Sequence, residues 1–182
     1  MKKNAIMLTW SGFQDHEVVY PYYRLLGDEF KVSIVADKRD SQNRVYGILG
    51  LSMPCHYTIN EFYTNIEDFS TNFDLMILPG GVKSLEKLRQ EEKIINFINK
   101  WNDEGKIISS TCHGAQLLIS SKVVRGRNIA GYYSLKDDIT NAGAIYSREP
   151  FIVDKNIISS PHYDHMGIWM EETIKEYNKK YN

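Results

Sequence analysis

The chain has 182 residues, 42% hydrophobic and 25% charged, proportions that fit a globular protein with room for a buried core. Its 22 basic and 23 acidic residues leave a formal net charge of -1, which offers no field for nucleic acid or an anionic membrane. No apolar run nears the ~18 residues that a bilayer span requires, so neither partner is expected.

In chain order, the opening MKKNAIMLTW is too short for a signal peptide and lacks its small-residue cleavage pattern. Residues 5–9 read instead as a buried strand, and residues 15–26 as a helix stopped by Gly27. A second strand covers 31–36, burying Val32, Ile34 and Val35. Between 37 and 72 only short β-like pieces are legible, around 45–51 and 55–59, before a polar stretch with Asn60, Asn65, Ser70 and Asn72. LMIL at 75–78 is a continuous apolar strand closed by the turn Pro79-Gly80-Gly81. Helices are predicted over 84–89 and 91–102, the second from the helical recurrence of Ile94, Ile95, Ile98 and Trp101.

The stretch 107–120, IISSTCHGAQLLIS, then runs from an apolar strand through Cys112-His113-Gly114 into an apolar helix. Residues 135–141 look helical, 145–146, 151–153 and 157–158 look like short strands, and a last helix covers about 163–181, ending in the basic KEYNKKYN. This alternation predicts an α/β fold in one domain over 1–182, a three-layer sandwich with a mostly parallel sheet and helices on both faces. Sites in such sheets form at the carboxyl ends of strands, here the loops 11–17, 79–81 and 112–114.

Strand, sharp turn and helix around Cys112 have the form of a nucleophile elbow with a thiol in place of a hydroxyl. Small neighbours, Ser110 and Gly114, allow close backbone approach, and the following helix aims N–H groups at the sulfur, favouring thiolate. The alternative is a buried structural cysteine. Cys55 lies in the least legible region and reads as structural; the two cysteines have no spacing for zinc or a disulfide framework, which makes the cytoplasm the expected location.

Taken together, these segments resemble the ThiJ/PfpI superfamily, which shares a flavodoxin-like fold with class I glutamine amidotransferases. The resemblance rests on GFQDHEVVYPYYRLL, FDLMILPGG, STCHGAQLLISSKVVRGRNIA, SLKDDITNAGAIY, FIVDKNIISS and WMEE, in that order and spacing, and is nearest to the PfpI-type intracellular proteases. It implies Cys112 as nucleophile, His113 as its neighbour in the elbow and Glu17 as the acidic partner. It further implies oxyanion donors in the main-chain N–H groups of Gly80, Gly81 and His113, and Tyr132 in the pocket lining. A protonated Glu17 donating to a Cys112 thiolate is the expected microstate, because the two groups cannot both ionise cheaply. The activities implied are peptide or amide hydrolysis, glyoxalase III and deglycase chemistry on a small-molecule or peptide carbonyl substrate, without cofactor or metal, by a homo-oligomer. A redox-sensing protein that oxidises Cys112, with Cys55 as resolving thiol, is the competing class.

The chain departs from the pattern at SSPHYDHMG, where Pro161 and His165 stand in place of arginine and aspartate. Ala115 likewise replaces a proline. The same segment opens a second chemistry, an amidase-like triad of Cys112, His162 and Asp164; the plainer alternative is a helix N-cap at Asp164 with His162 exposed. Isonitrile hydration is a further option within the superfamily. A metal site from His162, Asp164 and His165 lacks a fourth ligand.

Overall fold

The computed structural model describes residues 3–181; Met1, Lys2 and Asn182, at the ends of the expected domain, lie outside the described residues. The first half runs β1 (Lys3–Leu8), α1 (Asp15–Gly27), β2 (Phe30–Ala36), β3 (Arg44–Tyr46), β4 (Ser52–Pro54), β5 (Tyr57–Thr58), α2 (Ile59–Thr64), α3 (Ile66–Asn72) and β6 (Leu75–Leu78). It continues with α4 (Val82–Leu88), α5 (Glu92–Asp103), β7 (Ile107–Thr111), α6 (Ala115–Ser120), β8 (Asn128–Ala130), α7 (Lys136–Asn141), β9 (Ile145–Ser147), β10 (Ile152–Asp154), β11 (Ile157–Ser160) and α8 (Met166–Tyr181).

Seven strands form one sheet in the order β10-β11-β7-β6-β1-β2-β5, parallel throughout except at the β10 edge. The predicted three-layer α/β architecture is therefore present. Alternation along each strand sends side chains to two separate cores. Ile6, Leu8, Met76, Leu78 and Ile108 pack with α2 to α7 through residues such as Phe62, Leu85, Ile98, Leu117 and Ile139. Ala5, Met7, Leu75, Ile77 and Ile107 pack on the other face with Val18 and Leu25 of α1 and Trp169, Met170 and Ile174 of α8. The register pairs Met7 with Ile77 and Leu78 with Ser110, so β1, β6 and β7 end side by side and bring their three carboxyl-end loops together.

Three expectations need correction. The polar stretch after residue 58 holds two helices, α2 and α3, whose Phe62 and Phe69 are buried. Its start was marked by Thr58 and Glu61, which form a reciprocal capping box. The β-like run 45–51 is a strand only to Tyr46; beyond it the chain turns, with Gly50 at φ 93°. The last helix begins at Met166 rather than Tyr163, after a separate 3-10 turn over Tyr163–His165. Among the described residues no helix is long and apolar enough to cross a membrane.

Candidate active site

The elbow forms because β7 passes directly into a 3-10 turn, Cys112–Gly114, and then into α6. Cys112 takes φ 55°, the left-handed region that a residue with a Cβ rarely adopts, at a strain of about 1–3 kcal/mol. Packing holds it there. A Cβ on Gly114 would overlap the Leu78 carbonyl oxygen and stand 2.8 Å from Ser110 Oγ. Gly114→Ala is expected to cost about 3 kcal/mol by overpacking, read as a lower midpoint in denaturant unfolding; an unchanged midpoint would contradict this packing.

The first turn of α1 carries two fully buried acids. Asp15 accepts the Leu51 N–H on Oδ1 and the Leu49 N–H on Oδ2, each at 2.8 Å, so it holds the loop after β3 by its backbone. Gly47 is required beside it, since a Cβ there would overlap the Asp15 carboxylate. Glu17 Oε2 accepts the Gly80 N–H at 2.7 Å. A Cβ on Gly80 would overlap that oxygen and lie 2.9 Å from Cys112 Cβ, so glycine here lets the carboxyl reach the elbow.

This arrangement corrects one expectation. The Gly80 N–H is committed to Glu17 and is not free for an oxyanion. The N–H groups of Gly81 and His113 face the Cys112 sulfur. Gly81, at φ 116°, packs against Phe13 and Gln14, and Gln14 N–H donates to the Gly80 carbonyl at 3.2 Å, which ties the first loop to the glycine turn.

Burial pushes the Glu17 carboxyl up to about 7, against the hydrogen bonds from Cys112 and Gly80 that favour its ionised form. Burial, then the charge of Glu17 and the hydrogen bond to it, push the Cys112 thiol far above its ordinary value, outweighing the N–H groups of His113 and Gly81. The expected thiol-lowering by the following helix is thus overridden, because α6 has only 6 residues and the sulfur is almost out of water. Cys112 and Glu17 form a coupled pair that carries one negative charge at most. Because the thiol is raised much further than the carboxyl, the shared proton rests on sulfur, and the buried Glu17 carboxylate is placed to take it during attack.

His113 is buried, with Nδ1 3.3 Å from Cys112 Sγ. Burial lowers its pKa and keeps the imidazole neutral, opposed by the charge of Glu86 on α4, a group that the sequence argument did not single out. The His113 ring stacks on Tyr132, centroids 4.6 Å apart, and Tyr132 N–H donates to the Cys112 carbonyl at 3.1 Å. His162 also stacks on this tyrosine, with centroids 5.9 Å apart. His162 is neither exposed nor bonded to Cys112. It is itself the N-cap of the 3-10 turn, with Nδ1 3.3 Å from Asp164 N and 3.1 Å from Asp164 Oδ2. Cys112, Glu17, Gly81, His113, Tyr132 and His162 all line one cleft of about 440 Å³, with Tyr163 at its rim. Among the described residues no three His, Cys, Asp or Glu side chains gather in an arrangement that would hold a metal.

Comparisons with known proteins identify the family. The profile of the DJ-1/PfpI family matches residues 2–176. A deglycase of Pyrococcus horikoshii is 36% identical over 171 residues, covering 94% of this chain and 97% of that protein. Protein/nucleic acid deglycase 2 of Escherichia coli is 29% identical and covers 96% of each. Among solved structures, a ThiJ/PfpI domain protein from Brachyspira murdochii superposes with a TM-score of 0.87 at 15% identity, over 98% of this chain and 99% of that one. With its cysteine elbow, glycine turn and first-helix glutamate drawn together at the ends of three adjacent strands, this chain belongs to the DJ-1/PfpI family.

Proposed function

We propose that the protein is a cysteine-nucleophile hydrolase or lyase of the deglycase type, acting on α-oxoaldehydes and on the adducts they form with proteins. One observation carries the reading: Cys112, held at φ 55° in the cleft, has the buried Glu17 carboxyl beside it and the N–H groups of Gly81 and His113 facing its sulfur. The names of relatives as deglycases support the substrate class.

In the proposed chemistry the pair holds one proton, which rests on sulfur, and Glu17 takes it as Cys112 Sγ adds to the aldehyde carbon. The C–S bond forms, the π electron pair moves to oxygen, and that oxygen takes the Glu17 proton to give a hemithioacetal. The freed carboxylate then removes the proton on the former aldehyde carbon and returns it to the neighbouring carbon, leaving a hydroxyacyl thioester. Water cleaves the thioester, releasing a hydroxy acid and restoring the proton of the pair. One carbon is oxidised as its neighbour is reduced, so no external oxidant is needed. Stabilisation of the oxyanion by the Gly81 and His113 N–H groups contributes about 3 kcal/mol each to such a transition state.

The other readings have less support. Cys55 is buried beside β2, three strands from β7, and its thiol donates to the Tyr57 carbonyl at 3.3 Å. At ~4.8 Å per strand that separation of roughly 14 Å is twice what a disulfide spans, so a Cys55–Cys112 sensor requires large backbone movement. An amidase triad through His162 has less support because its Nδ1 lies at Asp164, 3.3 Å from the N–H and 3.1 Å from Oδ2, and among the described residues no hydrogen bond joins it to Cys112.

The test is direct. Incubation with methylglyoxal, followed by proton NMR, is expected to show lactate, and incubation with methylglyoxal adducts of N-acetylated cysteine is expected to show release of the free thiol. Absence of both products at stoichiometric enzyme would overturn the reading.

A further inference from the structure

The segment 161–165, where the chain departs from its family's pattern, places one histidine in the lining of the cleft. The His162 ring is held among Tyr132, Tyr133 and Tyr163, with centroids 5.9, 6.1 and 3.9 Å away, and its side chain is only 16% exposed. One of its nitrogens is accounted for. Nδ1 accepts the Asp164 N–H at 3.3 Å, and Asp164 Oδ2 lies 3.1 Å from the same atom. Among the described residues no hydrogen bond reaches Nε2, and that atom is not sealed from open space.

These contacts fix a hydrogen on Nε2. A neutral imidazole that accepts at Nδ1 carries its only hydrogen on Nε2. A charged one gives its Nδ1 hydrogen to the Asp164 carboxylate and still carries one on Nε2. His162 is thus a donor in both protonation states, on a ring that three tyrosines hold in place.

The chemistry of an α-oxoaldehyde has a use for such a donor, because this substrate brings two carbonyl oxygens. The first gains charge when sulfur adds, and the Gly81 and His113 N–H groups that face the sulfur serve it. The second gains charge later, when Glu17 removes the proton on the former aldehyde carbon and the ketone π pair moves to oxygen. No lysine or arginine lines the cleft among the described residues. Gln14 Nε2 is engaged 3.2 Å from His16 Nδ1, the Gly80 N–H belongs to Glu17, and His113 turns Nδ1 to the sulfur. An imidazole N–H working with a carboxylate base can polarise a carbonyl without carrying charge itself.

We propose that His162 is a catalytic residue of the isomerisation step, its Nε2–H donating to the second carbonyl oxygen. The proposal rests on the reading that Cys112 and Glu17 form and isomerise a hemithioacetal. As Glu17 takes the C–H proton, the ketone oxygen takes the Nε2 hydrogen, and Nε2 recovers one from the hydroxyl on the former aldehyde carbon. That hydroxyl becomes the thioester carbonyl, the neighbouring carbon receives the proton from Glu17, and the imidazole ends as it began. The lack of a bond between His162 and Cys112 suits this role, since the substrate lies between them.

Two substitutions separate the two edges of the ring. His162→Gln puts an amide N–H where Nε2 stands and gives up the cap; His162→Asn puts an acceptor where Nδ1 stands and gives up the cleft donor. With methylglyoxal, His162→Gln is expected to keep kcat within about tenfold of the parent. His162→Asn is expected to lose about 10²–10³ in kcat with KM nearly unchanged, as removal of one donor aimed at developing charge implies. Carbon NMR of carbonyl-labelled methylglyoxal with stoichiometric His162→Asn is expected to show a hemithioacetal that persists instead of passing to lactate. If His162→Asn is as active as His162→Gln, or more so, the cap alone matters and the proposal is overturned. Loss of hemithioacetal formation in His162→Asn overturns it as well, because the donor is assigned to the later step. If Cys112→Ala makes lactate as fast as the parent, the reaction assigned to Cys112 falls and this role of His162 falls with it.

Discussion

Cys112→Ser is expected to fold normally and to lose at least about 10³ in kcat/KM for methylglyoxal, equivalent to about 4 kcal/mol of transition-state stabilisation. The substitution changes one atom and keeps the backbone at φ 55°, so stability has little reason to move. Reactivity does. Glu17, raised to about 7, can share a proton with a sulfur whose ordinary pKa is near 9, but not with a hydroxyl many decades weaker as an acid. The check is a steady-state assay beside a denaturant unfolding curve. A serine variant with more than a tenth of the parent rate would show that the sulfur is not the attacking atom.

Glu17→Gln is expected to lower kcat/KM by about 10²–10⁴, the range of a lost positioned acid–base group, and at the same time to stabilise the protein above neutral pH. The sign follows from proton counting. A carboxyl that ionises near 4.5 in the unfolded chain keeps its proton to about 7 in the folded one, so between those values the native state binds more protons and stability falls as pH rises. The loss amounts to about 3 kcal/mol by pH 8, at about 1.4 kcal/mol per pH unit. Glutamine is neutral throughout, and its carbonyl still accepts the Gly80 N–H. The stability gain of the variant over the parent should therefore be absent near pH 4, grow through pH 5 and 6, and level off above about 7. Unfolding curves of both proteins across this range measure it directly. The parent's kcat/KM should rise around pH 7, where that gain levels off, as the native pair passes from two protons to one. A gain that does not change with pH would mean that Glu17 is not titrating where its burial places it.

Much of this site was legible in the residues themselves, and what was not has physical reasons. The elbow announces itself because strand, small residues and helix are contiguous, and the Pro79-Gly80-Gly81 turn follows an unbroken apolar strand. Glu17 required the family resemblance, since an acid in a helix's first turn is ordinary. The commitment of the Gly80 N–H to Glu17 joins residues 63 apart, and the grip of Asp15 on the loop at Leu49 and Leu51 joins residues 34 and 36 apart; local pattern carries no trace of either. The direction of the Cys112 shift was misread for a related reason. Helix direction can be seen in sequence, but the depth at which a sulfur is buried cannot. Helices α2 and α3 were missed because Asn and Ser dilute their pattern, although the Thr58–Glu61 cap was there to be read.

The hold of Asp15 on its loop has one more consequence. The two hydrogen bonds reach the amides of Leu49 and Leu51 and touch no side chain of residues 48–51, while Ile48, Leu49 and Leu51 point 50%, 68% and 53% into solvent. The course of this loop is thus dictated from a distant helix, and the identities of its exposed residues are left unspecified. At Ile48, Leu49 and Leu51, though not at Gly50 with its φ of 93°, such a surface can be rewritten with hardly any penalty to the scaffold beneath it, and still present each new set of side chains in the same place.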